Sequence, residues 1–262
     1  MTASAKVGLP LALWRLACCL AMVVRGMLTC GLLFPFLGPA QRMWHVGKFA
    51  QHMLAAMGLR LVTEGEAHPG PVLLVANHVS WLDILAIDAF QPARFVSKAD
   101  IRRWPVIGWI VACGGTLFIE RERKRDAMRV VHQVAEALQR GQVIAMFPEG
   151  TTSDGHGLLP FHANLLQAAA VTHVPVQPIA LRFSDAVSPV SAAAPFIGDT
   201  NLMQSLWAIV CARGLQVRVQ RLPAMVTEGL DRRAISERTR IQIAAALGLA
   251  EKPAAAASAC AG

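Results

Sequence analysis

Hydrophobic positions along this chain follow two periods. Short, nearly continuous apolar runs at residues 59–63, 72–76, 94–97, 117–119, 143–147, 176–182 and 215–221 read as strands. The runs at 72–76 and 143–147 carry no polar residue, as expected of strands covered on both faces. From residue 59 the order reads strand, strand, helix, strand, helix, strand, helix, strand, helix, strand. Such alternation predicts an α/β fold, a mostly parallel mixed sheet covered by helices. The segment 174–181 carries Pro175 and Pro178 and reads as an edge strand or a wall lining a substrate site. A last helix is expected over about 232–247, with Ile235, Ile241 and Leu247 turned inward and Pro253 beyond it.

Before the first strand the pattern changes. Residues 7–40 are strongly apolar, interrupted by Arg15 and Arg25. Each arginine would cost about 2.5–3.5 kcal/mol at a bilayer centre, and the uninterrupted runs fall short of the roughly 20 residues that a span needs. A re-entrant or interfacial helix therefore fits better than a clean crossing, the alternative being a tilted span from which both arginines snorkel to headgroups. A second helix over about 39–57 places Met43, Val46, Gly47, Ala50, Met53, Leu54 and Met57 on one face. That stripe suits the protein's own core and a lipid surface equally. The predicted division is a membrane-associating helical segment at 1–58, a catalytic domain at 59–250 and a disordered, alanine-rich tail at 251–262.

Charge agrees with a lipid-facing protein. The 262 residues carry a formal net charge of +8, which favours an anionic partner such as a phospholipid surface. Nucleic acid is the other usual partner of a basic chain. The absence of tyrosine, of RNP-like and of zinc-finger patterns argues against it. Cys18, Cys19, Cys30, Cys113, Cys211 and Cys260 show neither metal nor disulfide spacing and suit a reducing compartment. Arg102, Arg103, Trp104 and Trp109 form a second patch suited to headgroup level.

The chemistry-bearing residues follow the two all-apolar strands. After the first come Asn77, His78, Val79, Ser80, Trp81, Leu82 and Asp83. Residues five apart on a continuous helix point about 140° away from each other. A His78–Asp83 contact thus requires a turn, with Ser80 a natural N-cap for the helix that follows. In that geometry the carboxylate holds one imidazole nitrogen and frees the other as a general base. After the second strand come Phe147, Pro148, Glu149, Gly150, Thr151, Thr152, Ser153, Asp154 and Gly155, a turn rich in groups that suit a polar headgroup. Between the two lies a short strand from Gly115 through Phe118 and Ile119 to Arg121.

Taken in order, these segments resemble the glycerolipid acyltransferase family, of the 1-acylglycerol-3-phosphate acyltransferase type. Asn77, His78, Ser80 and Asp83 match its first block, and Gly115, Phe118, Ile119 and Arg121 its second. Phe147 through Thr151 match its third, and the proline-bearing strand matches its fourth loosely. The resemblance implies His78 as general base and Asp83 as its orienting partner. It implies Glu149, Gly150 and Thr151 as lining for the lysolipid acceptor, and Arg121 as a cation for the acceptor's phosphate, with Lys98 as a further basic candidate. No cofactor is implied; the co-substrate is an acyl thioester, on coenzyme A or acyl carrier protein. The implied product is phosphatidic acid, made at the inner, cytoplasmic membrane with the catalytic domain facing the cytoplasm.

Two positions depart from the family pattern. Thr152 stands where an arginine is frequent, and His162-Ala163 where lysine-glycine is usual. The pattern is similar to that of lyso-ornithine-lipid acyltransferases, which makes another lysolipid the alternative acceptor. A catalytically silent lipid-binding protein is the alternative from another class, opposed by the intact His78 and Asp83. An esterase would need a Gly-x-Ser-x-Gly elbow, which is absent.

Overall fold

A computed structural model describes residues 5–119 and 124–249. Seven strands form one sheet: β1 (Arg60–Glu64), β2 (Val72–Ala76), β3 (Arg94–Lys98), β4 (Leu117–Ile119), β5 (Val143–Met146), β6 (Val176–Ser184) and β7 (Gln216–Arg221). Their spatial order is β1-β7-β6-β2-β5-β3-β4, parallel at every pair except β6–β7. The helices are α1 (Leu9–Leu28), α2 (Pro39–Ala56), α3 (Leu82–Asp88), α4 (Ile107–Cys113), α5 (Lys124–Gln139), α6 (Gln167–Thr172), α7 (Leu202–Cys211) and α8 (Arg232–Ala246).

Strand pleat sorts β2 into two cores. Val72, Leu74 and Ala76 pack with residues of α1, α2, α3 and α7, while Leu73 and Val75 meet α5, α6 and α8 on the other face. Both layers are therefore apolar along β2, and every one of its side chains is buried. All seven strands lie within a residue or two of the predicted runs.

The proline-bearing strand corrects one expectation. β6 is no edge strand; it is flanked by β2 and β7. It tolerates Pro178 because its pairing with β7 shifts there: Val176 faces Met225 and Ile179 faces Arg221, leaving one extra residue on the opposite strand. Within that bulge the Pro178 carbonyl still accepts from Leu222 N–H, and the Gln177 side chain donates to the carbonyls of Glu66 and Leu222.

The N-terminal helices belong to the same core. Ala12, Cys19 and Gly26, seven apart, form the buried seam of α1, and Gly26 lets the Phe49 ring approach. The stripe on α2 faces inward: Gly47, Ala50, Met53 and Leu54 are buried, so the own-core alternative is the one realised. Arg15 does not reach outward either. Its guanidinium donates to the Val210 and Ala212 carbonyls at the C-terminal end of α7, at 2.9 and 3.0 Å. Gly58, at φ 73°, makes room for that guanidinium, since a Cβ there would lie 2.2 Å from its central carbon. With Arg15 turned inward, the helical run Leu9–Phe36 is long and apolar enough to be a candidate membrane segment, 28 residues with a π-turn at Thr29–Leu33. Leu9, Leu13, Trp14 and Leu20 stand exposed on it.

Candidate active site

The β2–β5 register sets the site. Val75 pairs with Met146, so the chains leaving both strands emerge side by side at the carboxyl edge of the sheet, where open α/β sheets bind ligands. On the other side of β2, the Asn77 side chain extends the ladder to β6. It donates to the Leu181 carbonyl at 3.0 Å and accepts from Leu181 N–H at 2.8 Å. This anchors the chain immediately before His78.

His78 Nδ1 lies 2.8 Å from Asp83 Oδ2. The same oxygen accepts from Val79 N–H at 2.7 Å and Ser80 N–H at 2.9 Å. Asp83 thus caps its own helix by reaching back, and Ser80 does not serve as the N-cap. The Ser80 hydroxyl is buried and, among the described residues, has no hydrogen-bond partner, while the Asp83 carboxylate in the first turn of α3 takes the Val79 and Ser80 amides. Asp83 is fully buried, whereas the His78 side chain keeps 18% of its surface exposed. With Nδ1 donating to the carboxylate, Nε2 is left as the basic nitrogen. The imidazole stacks on Phe147 at a centroid distance of 4.0 Å and an interplanar angle of 10°.

The loop after β5 grips this arrangement. Glu149 is buried and accepts from His78 N–H at 2.8 Å with one oxygen and from Leu159 N–H at 3.0 Å with the other. Burial pushes its carboxyl up to about 7, against the pull of the Leu159 and His78 amides, with Asp83 adding to the rise. Ser153 donates to the His78 carbonyl through both its N–H, at 2.8 Å, and its hydroxyl, at 3.1 Å. Gly150 turns the chain at φ 72°, a conformation that disfavours any side chain, and its N–H donates to the Phe147 carbonyl. Thr152 donates to the Phe196 carbonyl.

The predicted residues therefore separate. His78 and Asp83 are in contact; Glu149 and Gly150 are buried beneath them; Thr151 is exposed. Arg121 lies outside the described residues, as does the Lys98 side chain. The sequence reading placed Phe147 and Ser153 in the motif after the second apolar strand but assigned neither of them a contact with His78. Only the three-dimensional grip on His78 reveals them.

An apolar cavity of about 120 Å³ opens between α1, α2, α3 and α4, with Gly26, Phe49, Leu85, Phe95 and Ile110 in its wall. Phe95 stacks on Phe147 at 5.9 Å, and Phe147 in turn on His78, so two rings separate the cavity from the imidazole. Asp88 also borders it, and burial raises its carboxyl to about 8 despite the Ala93 amide.

The family profile described as Acyltransferase matches residues 60–182, the interval from β1 into β6 that holds both loops. A lyso-ornithine lipid O-acyltransferase of Pseudomonas aeruginosa is 38% identical over 195 residues, covering 74% of this chain and 75% of that protein. This chain belongs to the acyltransferase family. A second relative of this acyltransferase, a 1-acyl-sn-glycerol-3-phosphate acyltransferase of Neisseria meningitidis, is 40% identical over 210 residues, 79% of this chain and 82% of its own length. The acyltransferase fold is seen in the crystal structure of the 1-acyl-sn-glycerophosphate acyltransferase PlsC from Thermotoga maritima. That structure superposes with a TM-score of 0.71 at 19% identity, over 92% of this chain and 94% of the other.

Proposed function

We propose that this acyltransferase transfers a fatty acyl group from an acyl thioester, on coenzyme A or acyl carrier protein, to the free hydroxyl of 1-acylglycerol-3-phosphate, giving phosphatidic acid. The observation that carries the reading is the 2.8 Å contact from His78 Nδ1 to a fully buried Asp83. Nε2 of His78 takes the hydroxyl proton as the lipid oxygen attacks the thioester carbonyl. The tetrahedral intermediate collapses by breaking the carbon–sulfur bond, and the thiolate recovers the proton from Nε2. Asp83 fixes the tautomer and stabilises the transient imidazolium. The lipid supplies the nucleophile, so no acyl-enzyme forms.

The two family positions named with Gly150 take unequal parts. Glu149 acts as a positioning residue, because both its oxygens are engaged by backbone amides. Gly150 shapes the turn, and the exposed Thr151 lines the acceptor site. The cavity bordered by Phe95 receives an acyl chain. Arg121 provides charge for the phosphate; replacing it raises the apparent acceptor constant if the acceptor bears phosphate. Residues 1–58 act as the membrane-associating segment and 59–250 as the catalytic domain, seated on the cytoplasmic face of the inner membrane, where the acyl thioesters are available.

A lyso-ornithine lipid is the second reading for the acceptor. Thr152 and Ser153 are engaged in holding neighbouring loops, and Asp154 stands exposed beside them; a headgroup bearing an ammonium suits that carboxylate better than a phosphate does. The test is to offer purified protein a panel of lysolipids with both thioester donors and to identify the product by mass. Diacyl product from the phosphate-bearing acceptor supports the first reading. Product only from lyso-ornithine lipid replaces it with the second, and no diacyl product from any pairing ends both.

A further inference from the structure

The chain between β6 and β7 is fastened twice to the catalytic loop after β2 and once to the loop after β5. Phe196 N–H donates to the Val79 carbonyl at 3.0 Å, Thr152 donates to the Phe196 carbonyl, and Trp81 Nε1 donates to Ser205 Oγ at 3.0 Å. Val79 and Trp81 both lie between His78 and Asp83. Ser205 is buried on the inner face of α7. Met203 and Trp207 lie two residues to either side of it, about 200° around the helix, and are 65% and 42% exposed. α7 therefore touches the catalytic loop with one face and shows large apolar side chains on the other.

Its surroundings indicate what covers that face. α7 packs directly against α1, the candidate membrane segment, and Arg15 of α1 binds the carbonyls at its C-terminal end. The start of α1 and the end of α7 are joined by a bridge between Lys6 and Ala212, and by Arg213 N–H donating to the Ala5 carbonyl. Lys6 and Arg213 are exposed there, two cations at one end of an apolar helix pair. Tryptophan with flanking cations suits the headgroup level of a bilayer with anionic lipid.

We infer that α7 is a second bilayer-contacting helix, and that its Ser205–Trp81 hydrogen bond couples lipid seating to the geometry of the catalytic loop. This rests on the reading of the chain as a membrane-seated lysolipid acyltransferase. A bilayer lifting or rotating α7 would move Trp81, three residues from His78, so turnover rises when the enzyme is seated.

The experiment uses the full chain, vesicles of phosphatidylethanolamine and phosphatidylglycerol, and a short-chain lysolipid soluble as monomer. Met203→Glu/Trp207→Glu should bind vesicles at least about tenfold more weakly, since two buried apolar side chains are lost from the contact. It should keep wild-type turnover of the soluble acceptor. Met203→Gln/Trp207→Gln repeats the measurement with a milder change, should the charged variant fold poorly. Ser205→Ala should bind vesicles as wild type does, yet lose most of the rate increase that vesicles give. Wild-type vesicle binding by both double variants overturns the contact, and undiminished stimulation of Ser205→Ala overturns the coupling. If the double variants instead lose only self-association in detergent, the face belongs to a second copy and the inference fails. Leu13→Glu/Trp14→Glu on α1 is the control: intact vesicle binding in that variant removes α1 as a membrane contact and with it the premise for α7, and loss in it alone removes only the part assigned to α7.

Discussion

The loops leaving β2 and β5 start from neighbouring, almost identically apolar strands, yet they divide their work. The β2 loop presents its ring to the open side of the site and its carboxylate to the interior. The β5 loop presents an acceptor and donors to the backbone of the first loop: the Glu149 carboxylate to the His78 amide, and the Ser153 N–H and hydroxyl to the His78 carbonyl. One loop bears the reacting groups and the other holds them still. Chemistry and positioning are thus separable by mutation, though they lie a few ångströms apart.

The largest effect should follow loss of the base. His78→Ala should lower kcat by about four orders of magnitude, the upper range for general acid–base catalysis, with vesicle binding unchanged in a flotation assay. Asp83→Asn should lose about a thousandfold in kcat and also lower the thermal midpoint, because an ionised acceptor of three hydrogen bonds is replaced by a neutral one. Glu149→Gln tests the division directly. One of its two oxygens becomes an amide nitrogen facing a backbone N–H, so kcat should fall by about tenfold, matching the roughly 1–3 kcal/mol of a buried donor left unpaired. The acceptor KM should hold; a raised KM with intact kcat would make Glu149 a substrate ligand and break the comparison. Ser153→Ala removes one hydroxyl donor while its N–H remains, and a severalfold loss is expected.

The smallest effect concerns pH. Burial raises the carboxyls of Glu149 to about 7 and Asp88 to about 8, above their unfolded values. Between the unfolded and folded pKa the native state holds protons that the unfolded chain has released, so stability falls as pH rises. The thermal midpoint should therefore drop from pH 5.5 to about 8.5, a window set by those raised pKa values, and Glu149→Gln and Asp88→Asn should each flatten part of that slope. An unchanged slope in both variants would place the ionisation elsewhere.

Much of this molecule was legible as sequence, for definite physical reasons. Strands buried on both faces have to be apolar throughout, so β2 and β5 announce themselves, and the reactive loops follow directly. The His78–Asp83 contact was readable because only a turn could bring them together. What stayed hidden depends on distant partners. Arg15 looked like a charge in need of headgroups because its acceptors lie 195 and 197 residues away. Ser80 looked like a cap because nothing local reveals that Asp83 reaches back over it. The prolines of β6 suggested an edge because the accommodating bulge is a property of the pair β6–β7. The ten-residue α7 was not anticipated, since its apolar stretch carries no clear period.

The guanidinium of Arg15 and the bare Gly58 beneath it have a practical corollary for anyone wishing to handle this enzyme without detergent. Deleting the first helix would strip two carbonyls of their donor and open a groove along the inner layer, leaving a remnant prone to clump rather than a soluble catalyst. Repainting its outward leucines and Trp14 with glutamate or lysine, while sparing Ala12, Arg15, Cys19 and Gly26, is the sounder route to a water-tolerant version.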